Sequence, residues 1–142
     1  MKKIIIYTLV VLVAFFLLIQ LIPFGRQHAN PPVVLEPQWD SAQTRELAQR
    51  ACFDCHSNET VWLWYSNVPP VSWLVQSDVN EGREKLNFSD WGRAREKDEI
   101  FEVNQEGEMP MPIYMIMHPE ARFTSAEKDA LIRGLQATIN NQ

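Results

Sequence analysis

The chain contains two cysteines, and both lie in one short stretch that ends in a histidine, Cys52-Phe53-Asp54-Cys55-His56. Three kinds of site use a cysteine pair of this spacing. A redox dithiol needs only C-x-x-C, a zinc site needs four ligands, and covalent haem attachment uses both thiols together with the adjacent histidine. The sequence around the stretch discriminates among the three.

Zinc is a poor match, because the side chains of adjacent Cys55 and His56 diverge and the fourth ligand would be the distant His118. A redox dithiol usually opens a helix, whose N-terminus lowers the thiolate pKa, whereas this motif closes a predicted helix. Covalent haem explains every residue: Cys52 and Cys55 form thioethers to the two vinyl groups, and His56 binds the iron as proximal ligand. The single C-x-x-C-H therefore predicts one haem c.

An apolar segment lies near the N-terminus. Ile4 to Ile22 runs for nineteen residues without a charge, and a helix of that length spans about 28 Å, close to the hydrocarbon thickness of a bilayer. A cleaved signal peptide has a shorter apolar run and a small-residue cleavage site, and no A-x-A follows here. We therefore predict an uncleaved single-pass anchor in the cytoplasmic (inner) membrane. The lysines at positions 2 and 3 place the N-terminus inside and the rest on the periplasmic or outer face.

Composition divides the chain into three parts: a membrane anchor over residues 1–26, a Pro-rich tether over residues 27–38, and a haem-binding domain over residues 39–142. The tether has three prolines and no helical period, and its His28 is assigned no role. Without Lys2 and Lys3, 11 basic residues stand against 18 acidic ones, a net charge of −7. Such an acidic domain would be repelled by phosphate backbones, so we expect no nucleic-acid partner.

The haem-binding domain is predicted to be all-α. Asp40 or Ser41 caps a first helix, and its apolar stripe continues through both cysteines: Leu47, Ala48, Ala51, Cys52 and Cys55. Thr124 and Glu127 form a capping box that opens the last helix. Its stripe, which contains Gly134, is predicted to cross the first helix at the small residues Ala48 and Ala51.

Weaker signals lie between these two helices. A short helix is predicted to start within Pro70-Val71-Ser72 and to run toward Asn80, and another runs from Ser89 or Asp90 to about Gln105, ended by Gly107. No segment alternates with period two for long, so no strand is predicted.

Six segments carry a resemblance to a known family: ACFDCHSNET, PVSWLV, DVNEGR, LNFSDW, GEMP and HPEA. The chain resembles the small bacterial haem-binding domain proteins of the cytochrome c superfamily, over roughly Trp39 to Thr138. The resemblance implies a small cytochrome c-like helical domain around one covalent haem.

The sixth iron ligand must come from elsewhere in the chain, and GEMPMPIYMIMHPEA offers the candidates. Met109 is the first choice, because Met-Pro after a glycine is similar to the distal loop of many c-type cytochromes. Met111 and His118 are the alternatives, with His118 also interpreted as a histidine that bonds the turn into the last helix. Met115 and Met117 are expected to fill the core near the haem.

Other residues are predicted to surround the haem. The Pro69 carbonyl is proposed to accept the second ring N–H of His56. Six aromatic side chains are predicted to line the pocket: Trp62, Trp64, Tyr65, Trp73, Phe88 and Trp91. An indole N–H, or one of Arg83, Arg93 and Arg95, is a candidate partner for a haem propionate.

These observations predict a membrane-anchored c-type cytochrome that transfers one electron at a time on the periplasmic side. Its partners would be membrane or periplasmic redox proteins. It is predicted not to be an enzyme, since no general acid–base pair or nucleophile can be placed beside the haem. The alternative is a haem-based sensor or ligand-binding module with an open or displaceable sixth site. A third class, a small peroxidase, would use His118 as distal base.

Overall fold

A computed structural model describes residues 1–97 and 99–141 of the chain. Over these residues the protein is helical, as predicted, and holds no strand beyond an isolated bridge between Leu35 and Asp90. The α-helices are α1 (Lys2–Ile19), α2 (Ala42–Ala51), α3 (Phe53–His56), α4 (Val71–Lys85), α5 (Ile100–Glu106), α6 (Tyr114–Met117) and α7 (Ser125–Asn140). Short 3-10 helices cover Trp64–Asn67, Trp91–Arg93 and Pro119–Ala121.

The chain forms two compact units. The first unit comprises Met1–Ala29 and Trp62–Asp78, and the second comprises Asn30–Val61 and Val79–Gln142. Helix α4 contributes its first half to the first unit and its second half to the second.

Helix α1 is the apolar element of the first unit. It has a mean hydropathy of 2.4 and is long enough to cross a membrane, a test that a signal sequence near the N-terminus also passes. The predicted segment, Ile4 to Ile22, is helical only as far as Ile19 and ends in a turn. Pro23 accounts for the early end, because proline disfavours helical backbone in the residue before it.

Helices α2 and α7 cross in the second unit at a glycine. Ser41 caps α2 by accepting from the backbone N–H of Thr44 at 3.2 Å, and Thr124 and Glu127 form the predicted capping box of α7. A Cβ on Gly134 would overlap the Thr44 side chain. The close crossing is confirmed, although the residue opposite Gly134 is Thr44, one helical turn before Ala48.

The core of the second unit is aromatic at its centre. Phe53 and Phe88 stack with ring centroids 5.5 Å apart, and Phe88 and Trp91 stack at 5.7 Å. Aliphatic residues from α2 and α7 surround them, including Leu47, Ala48, Leu131 and Leu135. The motif residue Phe53 is therefore a core residue, which fixes the position of its neighbours Cys52 and Asp54.

The helix predicted from Ser89 or Asp90 to Gln105 is two elements. Trp91–Arg93 is a short 3-10 helix, and α5 starts only at Ile100. Between them the backbone N–H groups of Arg95 and Glu96 donate to the Lys85 carbonyl at the end of α4, so they do not form helical bonds. Asp98, inside this predicted helix, lies outside the described residues. Gly107 ends α5 with φ +79°, as predicted.

Candidate functional site

The two cysteines lie at a break between helices. Helix α2 ends at Ala51, Cys52 has φ −123°, and α3 begins at Phe53. The prediction that one helix carries both cysteines is therefore wrong, since Cys55 belongs to α3. The Cys52 carbonyl accepts from the backbone N–H groups of Cys55 and His56 at 3.2 and 2.8 Å, which closes the motif into a tight turn.

Neither Cys52 nor Cys55 forms a disulfide, and both are half-buried. Burial, with a smaller contribution from Cys55, raises the pKa of the Cys52 thiol to about 12. A redox dithiol needs a thiolate near neutral pH, so these surroundings disfavour that interpretation. Over residues 1–97 and 99–141, no group of three or more His, Cys, Asp or Glu side chains is placed to hold a bare metal ion.

His56 directs one ring nitrogen at the C-terminal end of α4. Its Nδ1 lies 3.0 Å from the Gly82 carbonyl oxygen and 3.1 Å from that of Leu86. A carbonyl can only accept, so Nδ1 carries the proton and Nε2 keeps the lone pair that binds a metal. Burial lowers the pKa of His56, against a smaller opposite effect of the two carbonyls. The neutral imidazole is thus the favoured form.

The prediction that the Pro69 carbonyl orients His56 is wrong. The Pro69 carbonyl accepts from Nε2 of Gln20 at 3.0 Å, within the first unit. The Gly82 carbonyl near the end of α4 and the Leu86 carbonyl directly after the helix take its place at His56. The Gly82 carbonyl also accepts from the Leu86 backbone N–H at 2.9 Å, since a carbonyl oxygen has two lone pairs.

Helix α4 approaches the motif closely because it carries a glycine there. A Cβ on Gly82 would lie 2.5 Å from the Cys55 carbonyl oxygen and 3.1 Å from the Cys55 Cβ. Those distances leave no room for any side chain at position 82. The glycine of DVNEGR thus lets the α4 backbone reach His56, a role that the sequence alone did not reveal.

Asp54, the residue between the two cysteines, has a structural role that the sequence analysis missed. Its Oδ1 accepts from the backbone N–H of Val61 at 2.8 Å, and its backbone carbonyl accepts from the Thr60 hydroxyl at 2.7 Å. Its Oδ2 accepts from the hydroxyl of Tyr114 at 2.8 Å. One motif residue therefore holds both the following loop and a segment sixty positions away.

Tyr114 and His118 form a stacked pair beside this carboxylate. Their rings lie 3.9 Å apart and nearly parallel, and His118 is only 4% exposed. Nδ1 of His118 bonds Oε1 of Glu120 at 2.9 Å and lies 3.6 Å from Oδ2 of Asp54. Burial, followed by the Asp54 charge, raises the pKa of Tyr114. The ring of His118 thus bonds the turn before α7, as one of the two interpretations expected.

The methionine candidates lie between α5 and α6. Met109 follows the left-handed Gly107, and its backbone N–H donates to the Val103 carbonyl at 3.2 Å. Met109, Met111 and Met115 are half-buried, whereas Met117 is 46% exposed. The core-filling role expected of Met117 does not fit that exposure. The choice of Met109, Met111 or His118 as sixth ligand stays a prediction.

The six aromatic residues predicted to line one pocket are divided between the two units. Phe88 and Trp91 belong to the core of the second unit. The other four, Trp62, Trp64, Tyr65 and Trp73, belong to the first unit, where Trp64 is 71% exposed. The buried indole N–H of Trp73 has no acceptor among the described residues. A propionate bond from an indole stays a prediction.

The three arginines named as propionate partners are brought together. Arg83, Arg93 and Arg95 line one cavity of about 220 Å³ with Glu84, Asn87 and Asp90. Arg83 also donates to the Ser57 carbonyl at 2.7 Å and to the Thr60 hydroxyl at 2.8 Å. Burial lowers its pKa, although a guanidinium keeps its charge in proteins. Arg83 therefore braces the loop after the motif, and a propionate contact stays a prediction.

Comparison with known families returns one match. The model described as "Haem-binding domain" matches residues 14–137, which includes the motif, α4 and all of the methionine segment. No curated protein and no solved structure matches the chain.

Proposed function

Since this chain belongs to the haem-binding domain family, which it matches over residues 14–137, we propose that it is a membrane-anchored c-type cytochrome. It carries one covalent haem and transfers single electrons on the periplasmic side of the inner membrane. The observation that carries the proposal is the geometry of His56, which directly follows the cysteine pair and donates its Nδ1–H to two carbonyls.

The residues present fit a covalently attached haem. The Cys52 and Cys55 thiols would each add across a vinyl group, a step in which the S–H proton goes to carbon and no oxidant is needed. His56 would bind the iron through Nε2, which the Nδ1 hydrogen bonds leave with its lone pair. Haem held in this way supplies a one-electron iron couple.

The hydrogen bonds and the helix end beside His56 would affect the reduction potential of an iron bound to it. Two carbonyl acceptors on Nδ1–H increase the electron density of the imidazole, and they lie at a helix C-terminus, the negative end of the helix dipole. Both effects favour the oxidised iron and lower the reduction potential. The described site therefore supports an electron carrier whose chemistry needs no proton-transfer residue.

We assign the sixth position to Met109, with Met111 and His118 as alternatives. A half-buried methionine on a loop that starts at a left-handed glycine is held in place yet is not part of the central core. His118 stays an alternative, because its Nδ1 bonds Glu120 and lies 3.6 Å from Asp54, an arrangement that metal-ligating histidines also show. A methionine ligand would raise the reduction potential relative to a second histidine.

The full-length chain, matured in a host that attaches haem c and purified from membranes, provides the test. Its pyridine haemochrome should show the band of haem with two saturated side chains, and the haem should stay bound after acid–acetone extraction. Cys52→Ala should leave a single thioether, and Cys52→Ala/Cys55→Ala should lose the haem to extraction. Extractable haem in the unchanged protein would contradict covalent attachment.

Carbon monoxide tests the sixth position. The unchanged ferrous protein should not bind it quickly, whereas Met109→Ala should open the site and bind it. Met117→Ala, which changes an exposed methionine of the same segment, is the matched control and should behave like the unchanged protein. Rapid binding by the unchanged protein would instead indicate a ligand-binding module.

A further inference from the structure

The end of helix α1 is built into the fold of the first unit, and this bears on what that unit contacts. Nε2 of Gln20 donates to the Pro69 carbonyl at 3.0 Å, and Nε of Arg26 donates to the Asn67 carbonyl at 3.1 Å. Gly25, with φ +79°, lies so close that a Cβ would be 2.5 Å from the Ser72 carbonyl oxygen. The residues after the apolar helix therefore pack on Trp62–Asp78.

His28 completes this packing. Its ring stacks on Trp62 with centroids 4.5 Å apart, and its Nε2 bonds the buried Ser66 carbonyl at 2.9 Å. Its backbone has φ +45°, a conformation that costs energy for a residue with a side chain. His28 thus has a structural role, although the sequence analysis assigned it none. Together with Gln20, Gly25 and Arg26 it connects α1 to the rest of the first unit.

The same part of the first unit exposes apolar side chains. We call Gln20–Ala29 and Trp62–Asp78 together the collar. It carries two charged residues, Arg26 and Asp78. Trp64 is 71% exposed, and the other large apolar residues open to solvent in the collar are Leu21, Ile22, Phe24, Val71 and Leu74. A surface with so many exposed apolar side chains and so few charges is unusual for a domain that faces water on all sides.

We propose that the collar lies in the lipid–water interface of the membrane that α1 enters, with Trp64 and Leu74 in contact with the bilayer. This proposal rests on the part of the proposed function in which α1 is a retained membrane anchor. Lipid is the partner that the observations favour, because the exposed residues belong to the unit into which the membrane helix runs. Tryptophan, with an apolar ring and one N–H, is also the side chain most typical of that boundary.

The collar also bears on whether α1 is removed. Cleavage after His28 would remove both Gly25 and His28, so that Trp62, Ser66 and Ser72 would lose their contacts with these residues. The family match agrees with a retained helix, because it begins at residue 14, inside α1. The collar thus requires that Gln20–Ala29 stay part of the mature chain, and the intact mass of the mature protein is a direct check.

Hydroxyl-radical footprinting of the full-length protein in nanodiscs of phosphatidylcholine and phosphatidylglycerol tests the contact. Trp64 should be oxidised several-fold more slowly than its 71% exposure predicts, with rates normalised to the unfolded chain. Met117 and Ile116, exposed by 46% and 66% in the second unit, are matched controls and should react at the rates their exposure predicts.

Three results would overturn the proposal. One is oxidation of Trp64 at the rate of a freely exposed indole, and another is a mature mass that lacks the first 22 or more residues. The third is protection of Trp64 in native membranes but not in pure lipid, which would indicate a protein partner. The ferrous spectrum of the same sample reports haem attachment separately, so failure of the cytochrome assignment and failure of the collar are distinguishable.

Discussion

Tyr114 donates its hydroxyl hydrogen to Oδ2 of Asp54 across 2.8 Å, and this bond joins two parts of the chain with separate proposed roles. Asp54 lies between the two cysteines, and Tyr114 opens α6, directly after the methionine loop. The segment proposed to offer the sixth iron ligand is thus attached to the motif proposed to offer the fifth. Tyr114 is a positioning residue in this arrangement, since it acts through the segment that carries it.

Tyr114→Phe removes that bond while keeping the ring stacked on His118. We expect the free energy of unfolding to fall by about 1.5–3 kcal/mol, the usual value for a hydrogen bond to a charged group. The ferrous protein should also bind carbon monoxide faster, because the distal segment is held less firmly. Thermal unfolding and stopped-flow measurements provide the two readouts.

A purely structural bond would lower stability and leave the ligand-binding rate unchanged, which would remove the positioning role. Asp54→Asn is the companion variant. Its amide oxygen can still accept from the Val61 N–H while its NH2 group donates to the Tyr114 oxygen, so its effect on carbon monoxide binding should be smaller than that of Tyr114→Phe.

Gly82→Ala tests the close approach of α4 to the motif. Alanine favours a helix by about 1 kcal/mol over glycine, but its Cβ would lie 2.5 Å from the Cys55 carbonyl oxygen. Overpacking of this kind costs about 1–3 kcal/mol, so we expect a net loss of stability, a reduced yield of haem-loaded protein and a shifted reduction potential. Potentiometry and the haem-to-protein ratio measure these effects.

Gly92→Ala is the matched control, because its nearest neighbour would be the Leu35 side chain at 3.8 Å, an ordinary contact. It should load haem and titrate like the unchanged protein. Equal behaviour of the two alanine variants would mean that α4 does not hold His56 in the way described.

Gly134→Ala should destabilise the crossing of α2 and α7 by about 1–3 kcal/mol, since the new Cβ overlaps the Thr44 side chain. Removing the Thr44 hydroxyl and methyl relieves most of that overlap. The cost of Gly134→Ala should therefore be smaller in a Thr44→Ala background, and a double-mutant cycle by denaturant unfolding measures the difference. Additive effects of the two substitutions would contradict the contact.

Glu127 predicts a pH dependence at the start of α7. The backbone N–H of Thr124, then Arg50 and the Thr124 hydroxyl, lower the pKa of Glu127 from 4.5 to about 2. Since the pKa is depressed in the folded state, the stabilisation is present above pH 4.5 and is lost as the pH falls toward 2. Glu127→Gln keeps the capping geometry without the charge, so its thermal midpoint should fall less over that range.

Glu46→Gln is the control for this effect, as Glu46 is an exposed carboxylate on the surface of α2. Its acid profile should follow that of the unchanged protein. If Glu127→Gln also follows it, the capping carboxylate does not contribute to acid stability.

Local signals in the sequence predicted the elements well. Thr124 and Glu127 lie three residues apart, and the capping box consists of bonds between their own backbone and side-chain atoms, so it could be predicted from the local sequence. Gly107 needs no partner elsewhere to adopt a positive φ. The proximity of α2 and α7 also followed from sequence, because a glycine within a helix stripe usually marks a close approach.

Contacts between residues that are distant in the sequence could not be predicted from it. The acceptors of His56 lie near the end of α4 and directly after it, twenty-six and thirty residues later, so a rule based on a nearby proline failed. The Asp54–Tyr114 bond has no signature in either segment. The predicted helix after Ser89 is interrupted because the backbone N–H groups of Arg95 and Glu96 donate to the Lys85 carbonyl at the end of α4. The helix propensities of these residues do not indicate such a contact.

The packing of Gly25 against Ser72 and of His28 against Trp62 limits how much of the N-terminus can be replaced by another sequence. A foreign export sequence could replace the apolar residues of α1, since these contact little within the protein. It could not replace Gln20–Ala29 without leaving a gap in the first unit. Fusions designed to secrete this protein should therefore join upstream of Gln20, and a junction after the apparent linker is expected to give poorly folded material.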